Sequence, residues 1–367
     1  MTPDARRNET LAAFAIRSAA GIGMILGNRL VRAFGSAVDA LAASYTELAT
    51  VEGMKPAILD GLRADANRAQ HETILKTCAE RGIRVLVPGF EGYPPYLLNL
   101  DDRPLVLFAR GACVWPERAI ALVGTRLPSP TGSKVARDFA KYFASRGIAV
   151  VSGLARGIDT AAHEGALEAG GVTLAVVGSG LDALYPPENR ALAQTIEARG
   201  TVLSEYAPDE EAMAFHFPIR NRIISGLSQG VVVVEAPRRS GALGTADWAL
   251  EQGRDVMAVP AGPYTRSAEG SVDLIKKGAA CVTTPEDVLQ ALRWETAAPR
   301  EMLKMTEEAL GIECKGLLSK LKPGEPMTAD QLADRTGLEA ARLLQALAEL
   351  ELRGTIASLP GQRWCLR

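Results

Sequence analysis

The chain reads as an α/β protein: a Rossmann-like, doubly wound and mainly parallel sheet, flanked by an N-terminal all-helical segment and a C-terminal winged-helix-like module. Three observations predict this. Between residue 75 and about residue 295, short β-branched runs alternate with helical stretches such as VARDFAKYFASRG and AAHEGALEAGG. Several of these runs are apolar throughout, as strands must be when helices cover both faces of a parallel sheet. On either side, apolar residues recur at helical spacing instead. At 367 residues the chain exceeds the length over which one core keeps growing, so two or three domains are expected.

The first domain, residues 1–74, is rich in alanine and leucine, with turns such as Gly21-Ile22-Gly23 and Glu52-Gly53-Met54 between its helices. The pieces AAGIGMILGNRLVRAFGS and LATVEGMKPAILDGLR fit paired helix-hairpin-helix units, whose glycine turns can offer backbone N–H groups to phosphate. They also fit a sterile-alpha-like interaction module, or a plain bundle that uses glycine only to reverse direction. In the second domain, residues 75–298, strands are expected at 83–87, 104–109, 119–124, 148–153, 172–178, 201–205, 230–236 and 255–260. The third, residues 299–367, offers a helix near 309–321, the stretch Pro326-Met327-Thr328, the helix ADQLADRTG turning at Gly337, the helix EAARLLQALAELELRG and the hairpin TIASLPGQRWCLR. That order is a winged helix. Its recognition-helix position carries Glu339, Arg342, Gln345, Glu349 and Glu351, an acidic set poorly suited to a phosphate-lined groove, so protein interaction stands beside DNA contact as its role.

In a doubly wound sheet, ligands bind beyond the carboxyl ends of the strands. Strand 119–124 runs into Gly124-Thr125-Arg126, and strand 148–153 into the loop from Ser152 through Gly153, Ala155, Arg156 and Gly157 to Asp159. Strand 172–178 runs into Gly178-Ser179-Gly180, and strand 230–236 into a loop with Arg238, Arg239, Ser240, Gly241, Gly244 and Thr245. Glycine lets backbone approach a ligand closely, while hydroxyl residues and helix starts supply donors. Arg126, Arg156, Arg238 and Arg239 add guanidinium forks that match phosphate oxygens in pairs. One glycine loop alone is explained by tight packing, but four such loops, three of them with arginine, point to an extended anionic ligand.

A fifth element, FPIRNRIISGLS, places Arg220, Asn221 and Arg222 at a helix start after Pro218, with Ile223, Ile224 and Leu227 toward the core. One of the two arginines reads equally as a buried partner of Glu205 or Glu235. Phe215-His216-Phe217 can stack on a base or pack in the core.

Other chemistries find less support. His163 and His216 are accompanied by no Ser-His-Asp spacing and no HExxH pair, so a non-enzymatic protein is expected. No GxGxxG follows the first strand with an acidic residue about 20 positions on, and no GxxxxGK[ST] is present, so neither NAD nor ATP, nor any other cofactor, is expected. The five cysteines, Cys78, Cys113, Cys281, Cys314 and Cys365, are odd in number and include no CxxC pair, which suggests reduced core residues rather than disulfides or zinc ligands. A net charge of −2 means that any contact with nucleic acid is local, carried by particular arginines. No apolar run approaches the roughly 18 residues of a membrane span, and the start lacks the order of a secretion signal, so a cytoplasmic location is expected.

Taken together, SGLARGID..AHEGAL, AVVGSGLD.LYPPEN, SEY, F.FPIRNRIISGLS, VVVEAP..SGALGTA and VMAVP resemble the DprA/Smf family of DNA-processing proteins. The resemblance covers the whole middle domain. It implies a homodimeric Rossmann-like core that binds single-stranded DNA, protects incoming strands during natural transformation and loads the RecA recombinase onto them. Residue by residue it carries DNA binding to Arg126, the Ser152–Asp159 loop, Arg220, Asn221, Arg222, Ser240, Gly241, Gly244 and Thr245. The chain departs from the family at Ala268 and Val272, where serine and asparagine are common. It departs again at Pro187, where many members have lysine, leaving Arg190 as a substitute.

Two rival readings remain. SGALGTADW resembles the PGGxGTxxE motif of nucleotide-cleaving phosphoribohydrolases of the lysine-decarboxylase-like type, but Trp248 stands where that chemistry needs a glutamate, and Asp247 points about 100° away on a helix. A sequence-specific regulator using the winged helix is opposed by its acidic recognition helix.

Overall fold

β-Branched segments become strands here because helices bury both of their faces. The computed structural model describes residues 3–63, 67–294, 312–321, 326–352, 355–359 and 363–366. The expected strands are present as β1 (Arg84–Leu86), β2 (Leu107–Gly111), β3 (Ala119–Val123), β4 (Ala149–Ser152), β5 (Thr173–Val177), β6 (Thr201–Ser204), β7 (Gly230–Val233) and β8 (Asp255–Ala258). β2 starts later than expected, since Pro104 has no N–H for a ladder and its carbonyl accepts from Tyr93 Oη at 2.7 Å. A further strand, β9 (Ala280–Cys281), was not expected, because two exposed residues are too short to show a period.

The sheet order is β1-β2-β6-β5-β4-β3-β7-β8-β9. Along that order the strands from β6 to β9 are mutually parallel, and β2 runs against them, pairing antiparallel with both β6 and β1.

Six helices precede the sheet: α1 (Pro3–Ser18), α2 (Met24–Phe34), α3 (Ala37–Ala42), α4 (Tyr45–Leu48), α5 (Pro56–Arg63) and α6 (Arg68–Glu80). Phe14, Ile16, Leu30, Leu48 and Leu59 share one apolar cluster with Val106, Phe108, Val177 and Val202 of the sheet. α6 runs through positions 74 and 75, and residues 1–294 form one compact unit. An ion-pair bridge joins them as well: Arg81, just after α6, meets Asp182 at 2.7 Å and Asp209 at 2.5 Å, while Arg110 meets Asp182 at 2.6 Å.

The sheet is covered by α7 (Pro130–Ser145), α8 (Ile158–Glu168), α9 (Arg190–Glu197), α10 (His216–Gly226), α11 (Leu243–Glu251), α12 (Glu269–Lys276) and α13 (Pro285–Ala291). Successive side chains of a strand point to opposite faces. Accordingly Ile120, Leu122, Val150 and Val232 pack with Phe139, Phe143 and Ala162 of α7 and α8. Their neighbours Ala121, Val123, Val151, Val231 and Val233 pack with Ile223, Ile224, Ala246 and Ala249 of α10 and α11.

The second unit, residues 295–367, holds helices Ile312–Leu318, Ala329–Thr336 and Ala340–Leu352 and the strands β10 (Met327–Thr328), β11 (Ile356–Leu359) and β12 (Arg363–Leu366). The strands pair in the order β10-β12-β11. Thr328 caps the second helix through a reciprocal box with Gln331, and Gly337, at φ +68°, ends it. Leu317, Leu332, Leu343, Leu347, Leu350 and Ile356 form its core. The expected boundary at 298–299, and the start of the helix expected near 309, lie outside the described residues. Among the described residues, no helix is long and apolar enough to cross a membrane.

Candidate functional site

β3 is the switch point of the sheet. From it the chain winds one way through β4, β5 and β6, then crosses back to lay β7 on its other side. The loops leaving β3 and β7 therefore diverge, and a cavity of about 530 Å3 lies beyond their carboxyl ends, where an open α/β sheet takes its ligand. Its walls are Gly124, Thr125 and Arg126 after β3, Arg239, Ser240, Gly241 and Thr245 after β7, and Phe217, Arg220 and Asn221 of α10, with Ala155 and Asp159 beside them.

Three guanidinium groups face this space. Arg126 and Arg239 are exposed, and among the described residues neither meets a carboxylate. Arg126 lies over the Phe217 ring, 5.0 Å from its centroid. Arg220 is only 5% exposed. Its Nη1 donates to the carbonyl of Gly153 at 2.6 Å and to that of Val176, while its Nε finds no acceptor in the protein.

Burial pushes the Arg220 pKa down to about 10, with the Asp159 charge opposing the shift and that of Arg126 adding to it. The group remains a cation at neutral pH. Two neighbouring cations and an unsatisfied buried donor make a place that an anion would stabilise.

The β7 loop is held open by its own contacts. Asn221 Nδ2 donates to the Gly241 carbonyl at 3.1 Å, and the Ala242 amide donates to Ser240 Oγ at 3.3 Å. A Cβ placed on Gly241 would meet nothing within 4 Å, so internal packing does not require glycine there.

The Ser152–Asp159 loop is different, and corrects the expectation that its amides cradle phosphate. Asp159, buried at the start of α8, accepts from the amides of Gly153 at 3.1 Å and Ala155 at 3.4 Å. The Leu154 amide donates to His163 Nε2 at 3.3 Å, and Ser152 Oγ donates to the Leu122 carbonyl at 2.6 Å. An internal carboxylate thus stands where a phosphate would. Burial raises the Asp159 pKa, against which the Arg220 charge and the amide bonds work. Gly153 is glycine because a Cβ would strike the Arg220 guanidinium. Gly157, at φ +79°, passes against the Thr125 carbonyl with no room for a side chain.

Other expected residues also leave the cavity. Arg222 is 1% exposed and bonded to Glu205 at 2.7 Å, with Asp102 at 3.9 Å: of the two arginines in this helix, it is the buried ion-pair partner. Gly180 donates its amide to the Glu210 carbonyl at 2.7 Å, and the Gly178 carbonyl lies 3.1 Å from His216 Nδ1, so both are buried packing positions. Arg190 is exposed at the first residue of α9 and is not part of the cavity wall. Arg238 is paired with Asp273 at 2.8 Å and, with Gly244, lines a neighbouring polar cavity instead. Glu235 accepts from Ser129, through its amide and its hydroxyl, not from an arginine.

Arg156 is ion-paired with Glu188 and sits 5.7 Å above Tyr185, which in turn lies 5.9 Å from Phe217. Tyr185 was not among the expected site residues; its signal was an aromatic before two prolines in a strand-end loop.

Fold and cavity define a class: a Rossmann-like protein whose switch-point cavity is built from guanidinium groups and open backbone, suited to an anionic ligand. Comparison with known proteins gives the family. The sequence model of DNA recombination-mediator protein A matches residues 84–293, and that of the DprA winged helix domain matches residues 304–362. The chain belongs to the DNA recombination-mediator protein A family.

It is 42% identical over 279 residues to Protein Smf of Escherichia coli K12, covering 74% of each chain. To the DNA processing protein DprA of Bacillus subtilis it is 40% identical over 221 residues, 60% of this chain and 74% of that one. The structure of DprA from Streptococcus pneumoniae superposes with a TM-score of 0.65 at 35% identity, over 76% of this chain and 95% of the other. DNA processing protein A from Helicobacter pylori, solved for its single-stranded DNA binding mode, superposes with a TM-score of 0.52 at 28% identity, over 57% and 95%.

Proposed function

We propose that the chain binds single-stranded DNA in the cavity between the β3 and β7 loops and acts there as a recombination mediator, without covalent chemistry. Incoming strands would be shielded during natural transformation and passed to RecA by a cytoplasmic homodimer, as the family resemblance implies. The observation that carries the reading is Arg220: a buried cation with a spare donor, beside Arg126 and Arg239, which meet no carboxylate among the described residues.

A sugar-phosphate chain supplies the anions, and the Phe217 ring under Arg126 supplies a π-face for an unstacked base. Among the described residues, the carboxylate in the cavity wall that the hydrolase alternative could use is Asp159. Asp159 is committed to backbone amides, Glu235 to Ser129, and Trp248 donates its Nε1 to the Pro218 carbonyl at 3.1 Å.

The test is titration of labelled oligo-dT and the matching duplex at two salt concentrations. Preference for the single strand, weakening steeply with salt, supports the reading. Equal binding of duplex, or release of free base from a nucleoside monophosphate, refutes it.

A further inference from the structure

A second cavity, of about 320 Å3, opens on the other side of the start of α10. The N-terminal helical segment contributes Arg17, Ile22 and Met24, and the loop after β6 and the start of α10 contribute Tyr206, Phe215 and Ile219, so neither part alone makes it. Ala214, Phe217 and Pro218 wall the first cavity, whereas Phe215 and Ile219 wall this one. Consecutive Cα atoms are about 3.8 Å apart, so a single thickness of chain separates the two spaces.

Phe215 is 60% exposed. It packs edge-on against His216, centroids 4.5 Å apart at 82°, and His216 stacks on Tyr206 at 3.7 Å and 19°. The result is an apolar ring presented to solvent on a buried base.

Arg17, in the last turn of α1, has no carboxylate partner among the described residues. The acid in this wall, Glu205, is already bonded to Arg222, and Glu210 on the adjoining loop is turned to His216 Nε2 at 3.6 Å. A free guanidinium beside an aromatic face matches one nucleotide: phosphate on the first, base on the second.

We propose that this cavity is a second nucleotide subsite, in which a base stacks on Phe215 and the adjoining phosphate meets Arg17 as the strand leaves the first cavity. The inference rests on the single-strand reading above. It makes the helical segment part of the binding surface.

The test compares oligo-dT of about four nucleotides, which fills one cavity, with oligo-dT of about 16, which spans both. Phe215→Ala should weaken the long strand about five- to hundredfold and leave the short one unchanged. Phe215→Trp should restore affinity, and the emission of its added indole should be quenched by the long strand only. Arg17→Ala should lower the long-strand salt slope by about 0.7.

Unchanged long-strand affinity in Phe215→Ala, with no quenching in Phe215→Trp, overturns the subsite and assigns the ring to a protein partner. If the unmodified protein binds neither strand, the single-strand reading fails first and takes the subsite with it.

Discussion

The loops after β4 and after β7 have the same ingredients: glycine, a small hydroxyl residue, an arginine and a following helix. Their fates are opposite. After β4, Asp159 and His163 occupy the amides of three successive residues, and the loop is closed on itself. After β7 the buried Glu235 turns to Ser129 rather than to the amides of its own loop, Gly241 has open space at its Cα, and Arg239 meets no carboxylate among the described residues. The first loop is a brace and the second a candidate binding surface. What separates them is one acidic residue at a helix start.

That contrast can be broken at its strongest point. Asp159→Ala orphans two amides and removes the counter-charge of buried Arg220, and should cost about 3–5 kcal/mol in urea unfolding. A loss below about 1 kcal/mol would mean that the brace is not structural.

Gly153→Ala is the next largest. Its Cβ strikes the Arg220 guanidinium, so a loss of about 1–3 kcal/mol is expected by the same measurement. Gly241→Ala, placed in open space, should leave stability within about 0.5 kcal/mol of the parent while weakening oligo-dT binding.

The brace should also respond to acid. Burial, reinforced by the Arg220 charge, lowers the His163 pKa from 6.5 to about 3. Between those values the unfolded chain takes up a proton that the folded chain does not, so stability falls as pH falls through this window. The slope contributed is up to about 1.4 kcal/mol per pH unit. In His163→Gln the baseline stability is lower, but this part of the slope should be missing from unfolding curves between pH 6.5 and 3.

The smallest effect on stability belongs to Arg126→Ala. Its side chain is exposed and lies over the Phe217 ring, so unfolding should shift by less than about 0.5 kcal/mol. Oligo-dT affinity should nevertheless drop, with the salt slope falling by about 0.7, as one phosphate contact is lost. An unchanged salt slope would remove Arg126 from the site.

How much of this was legible differs from residue to residue. The strands that end at Val123 and Val233 were legible as continuous apolar runs, though the second was expected to continue to residue 236, and the cavity follows from the carboxyl-end rule. Arg220 and Arg222 could not be told apart. Both lie in FPIRNR, and positions two apart on a helix point in different directions, so one lines the cavity while the other meets Glu205. The glycines were ambiguous for a similar reason: glycine serves close packing at Gly153 and open backbone at Gly241, and a sequence carries the same letter for both.

Composition and periodicity by themselves determined the α/β class, the parallel sheet, the terminal winged helix and the rim at which an open α/β sheet takes its ligand. These depend on the spacing of apolar residues along the chain, which is local information. Tertiary structure alone decided which donors on that rim stay free. A buried amide or guanidinium takes the nearest acceptor in space, and those acceptors, such as Glu205 for Arg222 and the Gly153 carbonyl for Arg220, arrive from distant parts of the chain.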